Sequence, residues 1–484
     1  MDTSFNIMSP ENITSPFRRV LQQALNHTLQ YLESLQHTPV AATASLADLR
    51  LQLGGPLSDT GMEATQVIDE LVASTRGGII GSAGGRFFGW AIGGSLPAAL
   101  AADWLTSTWD QNAALSACAP AEALIEEICG SWIKELLGLP SGASFALVSG
   151  CQMAHVTCLG AARHALLDRL GWNIEYDGLR DAPPIRVLSS SEYHGSIERA
   201  VRLLGLGSRC IEELPVDKHG CLQLQALSSA LSKRPEAPTI VLLQAGDLNI
   251  GAYDRFSELI PLAHRFHAWV HIDGAFGLWA EASPTYRYLL AGVDQADSWA
   301  TDGHKWLNVP YDCGYAFIAD PQAHRSSMSH RASYLTHSDG VRDEIDWNPE
   351  WSRRGRGVAT YAALRQLGKE GVAQLIERCC RHAHDLVTRI GALPGAQLMW
   401  EPQINQGLVR FLDSRPQATP VDHNHQTDAV IAAVMRSGEA FFSGTTWQGK
   451  RCMRVSVCNW QTSEGDVARA LAAIKQVLEA EMRK

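Results

Sequence analysis

The sequence predicts an α/β protein: a large domain with a mostly parallel sheet, a small C-terminal α+β domain, and an N-terminal helical arm. Three observations carry this. Between residues 95 and 370, helical stretches alternate with short apolar runs at 145–148, 185–188, 240–243 and 269–272, as expected of strands joined by crossover helices. From residue 371 to the end, a helical stretch (371–393) precedes two strand-like runs at 407–412 and 453–457 and a helix from Glu464 to about Met482. Before residue 95, Phe17, Val20, Leu21, Ala24 and Leu25 recur at helix spacing, and Gly54-Gly55-Pro56 breaks the pattern.

The expected organisation is therefore an arm and approach loop (1–94), a large domain (95–370) and a small domain (371–484). The Gly-rich stretch 77–94 is interrupted by Arg86 and reads as a loop. No apolar run approaches the roughly 20 residues that span a bilayer. No repeat or low-complexity segment is present.

Composition narrows the function. With 41 basic and 51 acidic residues the net charge is -10, which argues against broad electrostatic binding to nucleic acid. The 11 cysteines are scattered without a CxxC pair, and the polar start Met1-Asp2-Thr3-Ser4 carries no leader pattern. The expectation is reduced thiols and a cytoplasmic protein, with Cys379 and Cys380 packed or solvated in a helix and not bridged.

The chemistry is concentrated in a few places. Lys305, in Thr301-Asp302-Gly303-His304-Lys305-Trp306, is the one lysine preceded directly by histidine. A lysine amine can hold an aldehyde cofactor as an imine. Asp273 ends the apolar run of His271-Ile272-Asp273-Gly274-Ala275, where an acid at a strand's carboxyl end faces the ligand crevice of an open α/β sheet. Such a carboxylate raises the pKa of a pyridine nitrogen beside it by roughly one to three units. At period two, His271 and Asp273 share a face.

Ser149-Gly150-Cys151-Gln152 joins a strand to an apolar helix, and backbone amides at such a turn bind phosphate. His194 follows the run 185–188 and could stack on a pyridine ring, with Ala275 small enough to touch the other face. Two look-alikes are set aside. The segment from Gly444 through Gly449-Lys450-Arg451 nearly fits a phosphate-binding loop but ends in Arg where Ser or Thr is required, and leads into a strand. His382 and His384, like His423 and His425, lack partners at metal-ligand spacing and read as solvated surface residues, so no metal is expected.

Taken together, the turn from Ser149 to Ala154, Tyr193-His194-Gly195-Ser196-Ile197-Glu198-Arg199, the stretch from His271 to Gly277 and the stretch from Ala296 to Lys305 resemble the pyridoxal-dependent group II amino acid decarboxylases, the aromatic-L-amino-acid and glutamate decarboxylase family. The resemblance runs from about Gly85 to the C-terminus. It implies the PLP-dependent transferase fold type I and pyridoxal 5'-phosphate as cofactor. Lys305 would bind the cofactor covalently, Asp273 would pair with the ring nitrogen, and His194 would stack on the ring near the substrate carboxylate. His304 and Gly150, Cys151 and Gln152 would hold the phosphate. In Ser333-Tyr334-Leu335-Thr336-His337-Ser338, Tyr334 would be the proton donor, offered across the interface of a homodimer.

Two departures stand out. The turn carries Gln152 and Met153 where the family has Thr or Ser followed by Glu, and Asp302 stands where a neutral residue is common.

The expected function is α-decarboxylation of an L-amino acid to the amine and carbon dioxide. The segment Phe87-Phe88-Gly89-Trp90-Ala91-Ile92-Gly93-Gly94-Ser95 would line the side-chain pocket and favours an apolar or aromatic substrate. An arginine among Arg353, Arg354 and Arg356 is the alternative, serving an acidic one. Competing readings are a diverged reaction on the same cofactor (decarboxylative oxidation to an aldehyde, β-elimination or carbon-carbon cleavage) and a binding module without catalysis.

Overall fold

The computed structural model describes residues 15–330 and 342–481. Its centre is a seven-stranded sheet of β1 (Ser144–Val148), β2 (Arg186–Ser190), β3 (Ile211–Leu214), β4 (Thr239–Gln244), β5 (Trp269–Asp273), β6 (Ser298–Asp302) and β7 (Gly314–Ile318), in the order β1-β7-β6-β5-β4-β2-β3. β3, β2, β4, β5 and β6 run parallel. β7 is antiparallel to both neighbours, β6 and β1.

Every strand but β3 is buried along its whole length, which is why the runs at 145–148, 185–188, 240–243 and 269–272 do not read as alternations. Period two still sorts the side chains by face. Val241 and Leu243 join one hydrophobic cluster, whereas Ile240 and Leu242 join the other.

A second, antiparallel sheet contains β8 (Ala396–Trp400), β9 (Gln406–Phe411), β10 (Ser443–Trp447) and β11 (Lys450–Ser456), in the order β10-β11-β9-β8. β10 and β11 form a hairpin whose turn residues Gln448 and Gly449 have φ of 47° and 72°. That hairpin is the segment resembling a phosphate-binding loop. The helix Gly357–Gly391 precedes the small sheet and contains a kink at Gly368, where φ is 60°. The boundary at 370/371 falls within this helix, just past its kink.

Local chemistry sets the helix ends. The N-terminal helix Pro16–Ser34 begins behind Ser15 with proline at its first position, and Leu46–Leu53 starts with a capping box of Ser45 and Asp48. Thr419 and Asp422 repeat that box before Pro420–Ser437, which ends on Gly438 at φ 75°.

Cys379 and Cys380 are buried, and all 11 cysteines are free. The expectation of a solvated His382 is corrected: it is buried in the helix Gly357–Gly391. Its helical neighbours on either side of the sequence hid this, since facing depends on how that helix packs. Among the described residues no helix is long and apolar enough to cross a membrane.

Candidate active site

The carboxyl ends of β4, β5 and β6 lie side by side, with Gln244 opposite Asp273 and Asp273 opposite Ala300. Ligands bind beyond such an edge. Two aspartates, Asp273 and Asp302, end adjacent strands there.

Lys305 follows β6 by one short turn. Its Nζ lies 3.0 Å from Asp302 Oδ2, and the lysine side chain retains 22% exposure. Burial alone would release its proton, but Asp302 outweighs burial, with help from Cys151 and Asp273, and the pKa is raised. Asp302 Oδ1 accepts from Cys151 N at 2.5 Å. The acid at position 302 therefore faces the lysine and the first amide of the helix Cys151–Asp168.

Asp273 is buried at 7% exposure. Burial raises a carboxyl pKa, yet His155, His194 and Lys305 overcome it and hold Asp273 well below the usual carboxylate range. Ala275 N donates to Asp273 Oδ1 at 3.2 Å, and His155 Nε2 lies 3.5 Å from Oδ2.

His194 is the N-cap of the helix Gly195–Leu203, and its Nδ1 accepts from Ser196 N at 3.2 Å. In the neutral ring Nε2 therefore carries the proton. The ring surface is open, but protein crowds it enough to lower its pKa, against the pull of Asp273. His304 stacks on Tyr311 with ring centres 4.2 Å apart, and its Nδ1 accepts from Cys313 N.

A Cβ on Gly150 would stand 3.0 Å from His304 Cε1, so His304 and the Gly150 turn share one corner. The approach segment runs against the lysine itself. A Cβ on Gly93 would lie 1.9 Å from the Lys305 carbonyl oxygen, which demands glycine there. Phe87 in this segment stacks on Phe441 at 4.6 Å, while Trp90 stays half exposed.

Lys305, Asp273, Ala275, His194, His304 and the Gly150–Cys151–Gln152 turn are thus brought together, with Asp302 among them. Tyr334 and its segment lie outside the described residues. Arg353, Arg354 and Arg356 are committed elsewhere: Arg353 to Glu126, Arg354 to Asp103, and Arg356 to Asp312 and Glu350.

Two residues escaped the sequence. Arg454 on β11 is 4% exposed, donates to Leu248 O at 2.9 Å, and meets no carboxylate at ion-pair distance among the described residues. Burial lowers its pKa to about 10, offset by Cys458 and Asp247, and its charge reaches His194. A single arginine inside the apolar run 453–457 was its only mark. His155, in the first turns of the helix Cys151–Asp168, was unmarked altogether.

A lysine able to form an imine, beside a carboxylate held ionised at the carboxyl edge of a mostly parallel sheet, places the protein among the pyridoxal phosphate-dependent enzymes of fold type I. Within that class the chain belongs to the family described as the pyridoxal-dependent decarboxylase conserved domain, whose model matches residues 62–412.

An aromatic-L-amino-acid decarboxylase of Bacillus atrophaeus is 25% identical over 469 residues, 96% of this chain and 95% of that one. A 4-hydroxyphenylacetaldehyde synthase of Rhodiola rosea is 28% identical over 338 residues, 67% of each chain. The solved structure of Oryza sativa TDC with PLP and tryptamine superposes with a TM-score of 0.91 at 22% identity, covering 98% of this chain and 99% of that one.

The residues present fit the cofactor of this family. Gln152 Nε2, at the N-terminus of the helix Cys151–Asp168, is a buried donor without a partner among the described residues. A helix N-terminus with a spare donor suits a phosphate. Asp273, ionised and buried, suits a protonated ring nitrogen.

Proposed function

We propose that the protein decarboxylates an L-amino acid with an apolar or aromatic side chain, releasing the amine and carbon dioxide. Bound pyridoxal phosphate supplies the electron sink for the bond that breaks. Lys305 holds the cofactor covalently, and Asp273 holds a proton at its ring nitrogen. Gly150, Cys151, Gln152 and His304 hold the phosphate, while His194 and Ala275 flank the ring. Arg454, a buried cation with no ion-pair partner among the described residues, offers a place for an anionic substrate group. Tyr334 is the candidate acid that returns a proton to the α-carbon.

The observation that supports this most is the placement of Lys305 and an ionised Asp273 at neighbouring strand ends. Lys305→Ala should abolish the visible absorbance of the covalently held cofactor together with carbon dioxide release; a variant retaining that band would overturn the assignment. Side-chain preference rests on the apolar segment around Phe87 and Trp90. Release of carbon dioxide from each of the twenty amino acids, with the amine identified by mass, tests it.

A second reading is supported by relatives that include the 4-hydroxyphenylacetaldehyde synthase of Rhodiola rosea and a phenylacetaldehyde synthase of Arabidopsis thaliana, the latter 24% identical over 461 residues. Aldehyde, ammonia and peroxide in place of the amine would establish it.

A homodimer also belongs to the proposal. Phe17, Leu21, Leu51 and Leu57 of the N-terminal region are 67%, 53%, 84% and 98% exposed, apolar surface that a second copy would cover. A fully active monomer in sedimentation would contradict it.

A further inference from the structure

Asp273 is backed by a line of buried groups that none of the roles above uses. His155 Nε2 lies 3.5 Å from Asp273 Oδ2. His155 Nδ1 is 2.9 Å from His271 Nε2, with the two rings edge to face at 86°. His271 Nδ1 is 2.8 Å from Ser298 Oγ, which accepts from Trp269 Nε1 at 2.9 Å. His155, His271 and Ser298 have no exposed surface, and Trp269 has 2%.

The two ends of this line together set its protons. Tryptophan can only donate, so Ser298 accepts there and can turn its own hydrogen to His271 Nδ1. Burial, and then His155, push the His271 pKa down to about 3, so the ring is neutral and carries one proton. When Nδ1 accepts from Ser298, that proton is on Nε2 and is donated to His155 Nδ1. The proton of His155 is then on Nε2, the nitrogen facing Asp273. The opposite order in neutral rings would set a bare lone pair of His155 against the carboxylate.

Other groups press on the same acid. Cys151 Sγ lies 3.4 Å from His155 Nε2 and 4.0 Å from Asp273 Oδ1, and the charges of Lys305 and His194 reach Asp273. Cys151 and His155 are four apart on one helix face, which lets both meet β5.

We propose that His155 is a positioning residue whose Nε2–H, its tautomer fixed by His271 and Ser298, keeps Asp273 ionised and aimed at the ring nitrogen of the cofactor. The inference rests on the role of Asp273 proposed above.

The test uses the full-length protein with ¹⁵N-labelled histidine. In wild type, NMR should find Nε2 protonated on both His155 and His271 across neutral pH. His155→Leu, which has no donor, should weaken pyridoxal phosphate affinity about 10- to 100-fold, as expected for loss of a hydrogen bond to a charged group. His155→Gln, whose side-chain amide can donate, should recover most of that loss.

A wild-type His155 without a proton on Nε2 would overturn the proposal, and so would a His155→Leu protein that loads cofactor like wild type. Uptake of one zinc ion by Cys151, His155 and Asp273, with loss of the Nε2 proton, would replace the relay with a metal site. Should His155→Leu not fold, Ser298→Ala decides: mixed His271 tautomers support the relay, and an unchanged single tautomer refutes it. Failure of the parent reading looks different, because wild type would then bind no cofactor while the histidine pattern stayed intact.

Discussion

β5 and β6 are adjacent, parallel, and both end in a buried aspartate, yet the two acids are in opposite states of engagement. Asp302 is locked between Lys305 Nζ at 3.0 Å and Cys151 N at 2.5 Å, with His304 Nε2 at 3.5 Å. Asp273 meets an imidazole at 3.5 Å and one backbone amide, and no lysine or arginine at ion-pair distance among the described residues. The charge of Asp302 is satisfied inside the protein. That of Asp273 is stabilised at a distance and left available to a ligand, so partners, not residue type or strand position, separate a structural acid from a functional one.

Asp273→Asn should cause the larger loss. Removing one to three units of ring-nitrogen basicity corresponds to about 10- to 1000-fold in kcat/KM, with the upper half of that range expected because Asp273 is so strongly ionised. Steady-state carbon dioxide release measures it, and near-normal activity would show that Asp273 does not serve the ring. Asp302→Asn should stay within about tenfold. The amide oxygen can still accept from Cys151 N, while Lys305 loses the partner that raises its pKa. Cofactor capture by the apoprotein should then extend to lower pH, because the neutral amine is the form that reacts. If Asp302→Asn cost as much as Asp273→Asn, the contrast between the two strand ends would collapse.

The place of Asp273 could be read from the chain; the opposite engagement of Asp302 could not. Lys305, Asp273 and His194 stand in short segments, and the strands before Asp273 and His194 are short apolar runs that need both faces covered. The helical arm and the final helix were legible for the same reason, through periodicity and caps. What escaped depends on residues far apart. His155 matters because it meets His271, 116 positions later, and Arg454 matters because β11 brings it within electrostatic reach of His194. Nothing local shows that β7 inserts antiparallel between β1 and β6, since strand order is chosen by packing. β8 and β10 are partly exposed and lack a continuous apolar run, which hid them as well.

The smallest effect at neutral pH, and the finest probe of the comparison, lies in acid stability. His271, on the Asp273 side, has its pKa pushed down to about 3 by burial and by His155. In the unfolded chain the same group binds its proton near pH 6.5. Between those values the unfolded state holds more protons, so unfolding free energy falls as pH falls, by about 1.4 kcal/mol per unit. His271→Gln should therefore flatten the acid limb of urea-unfolding measurements on the apoprotein by up to that slope between about pH 6 and 4. His304, on the Asp302 side, is also pushed down by burial, but the charges of Asp302 and Asp312 act against that shift. His304→Gln should flatten the limb less. Equal flattening would mean that the two acids sit in equivalent electrostatic surroundings, and the distinction drawn between them would fail.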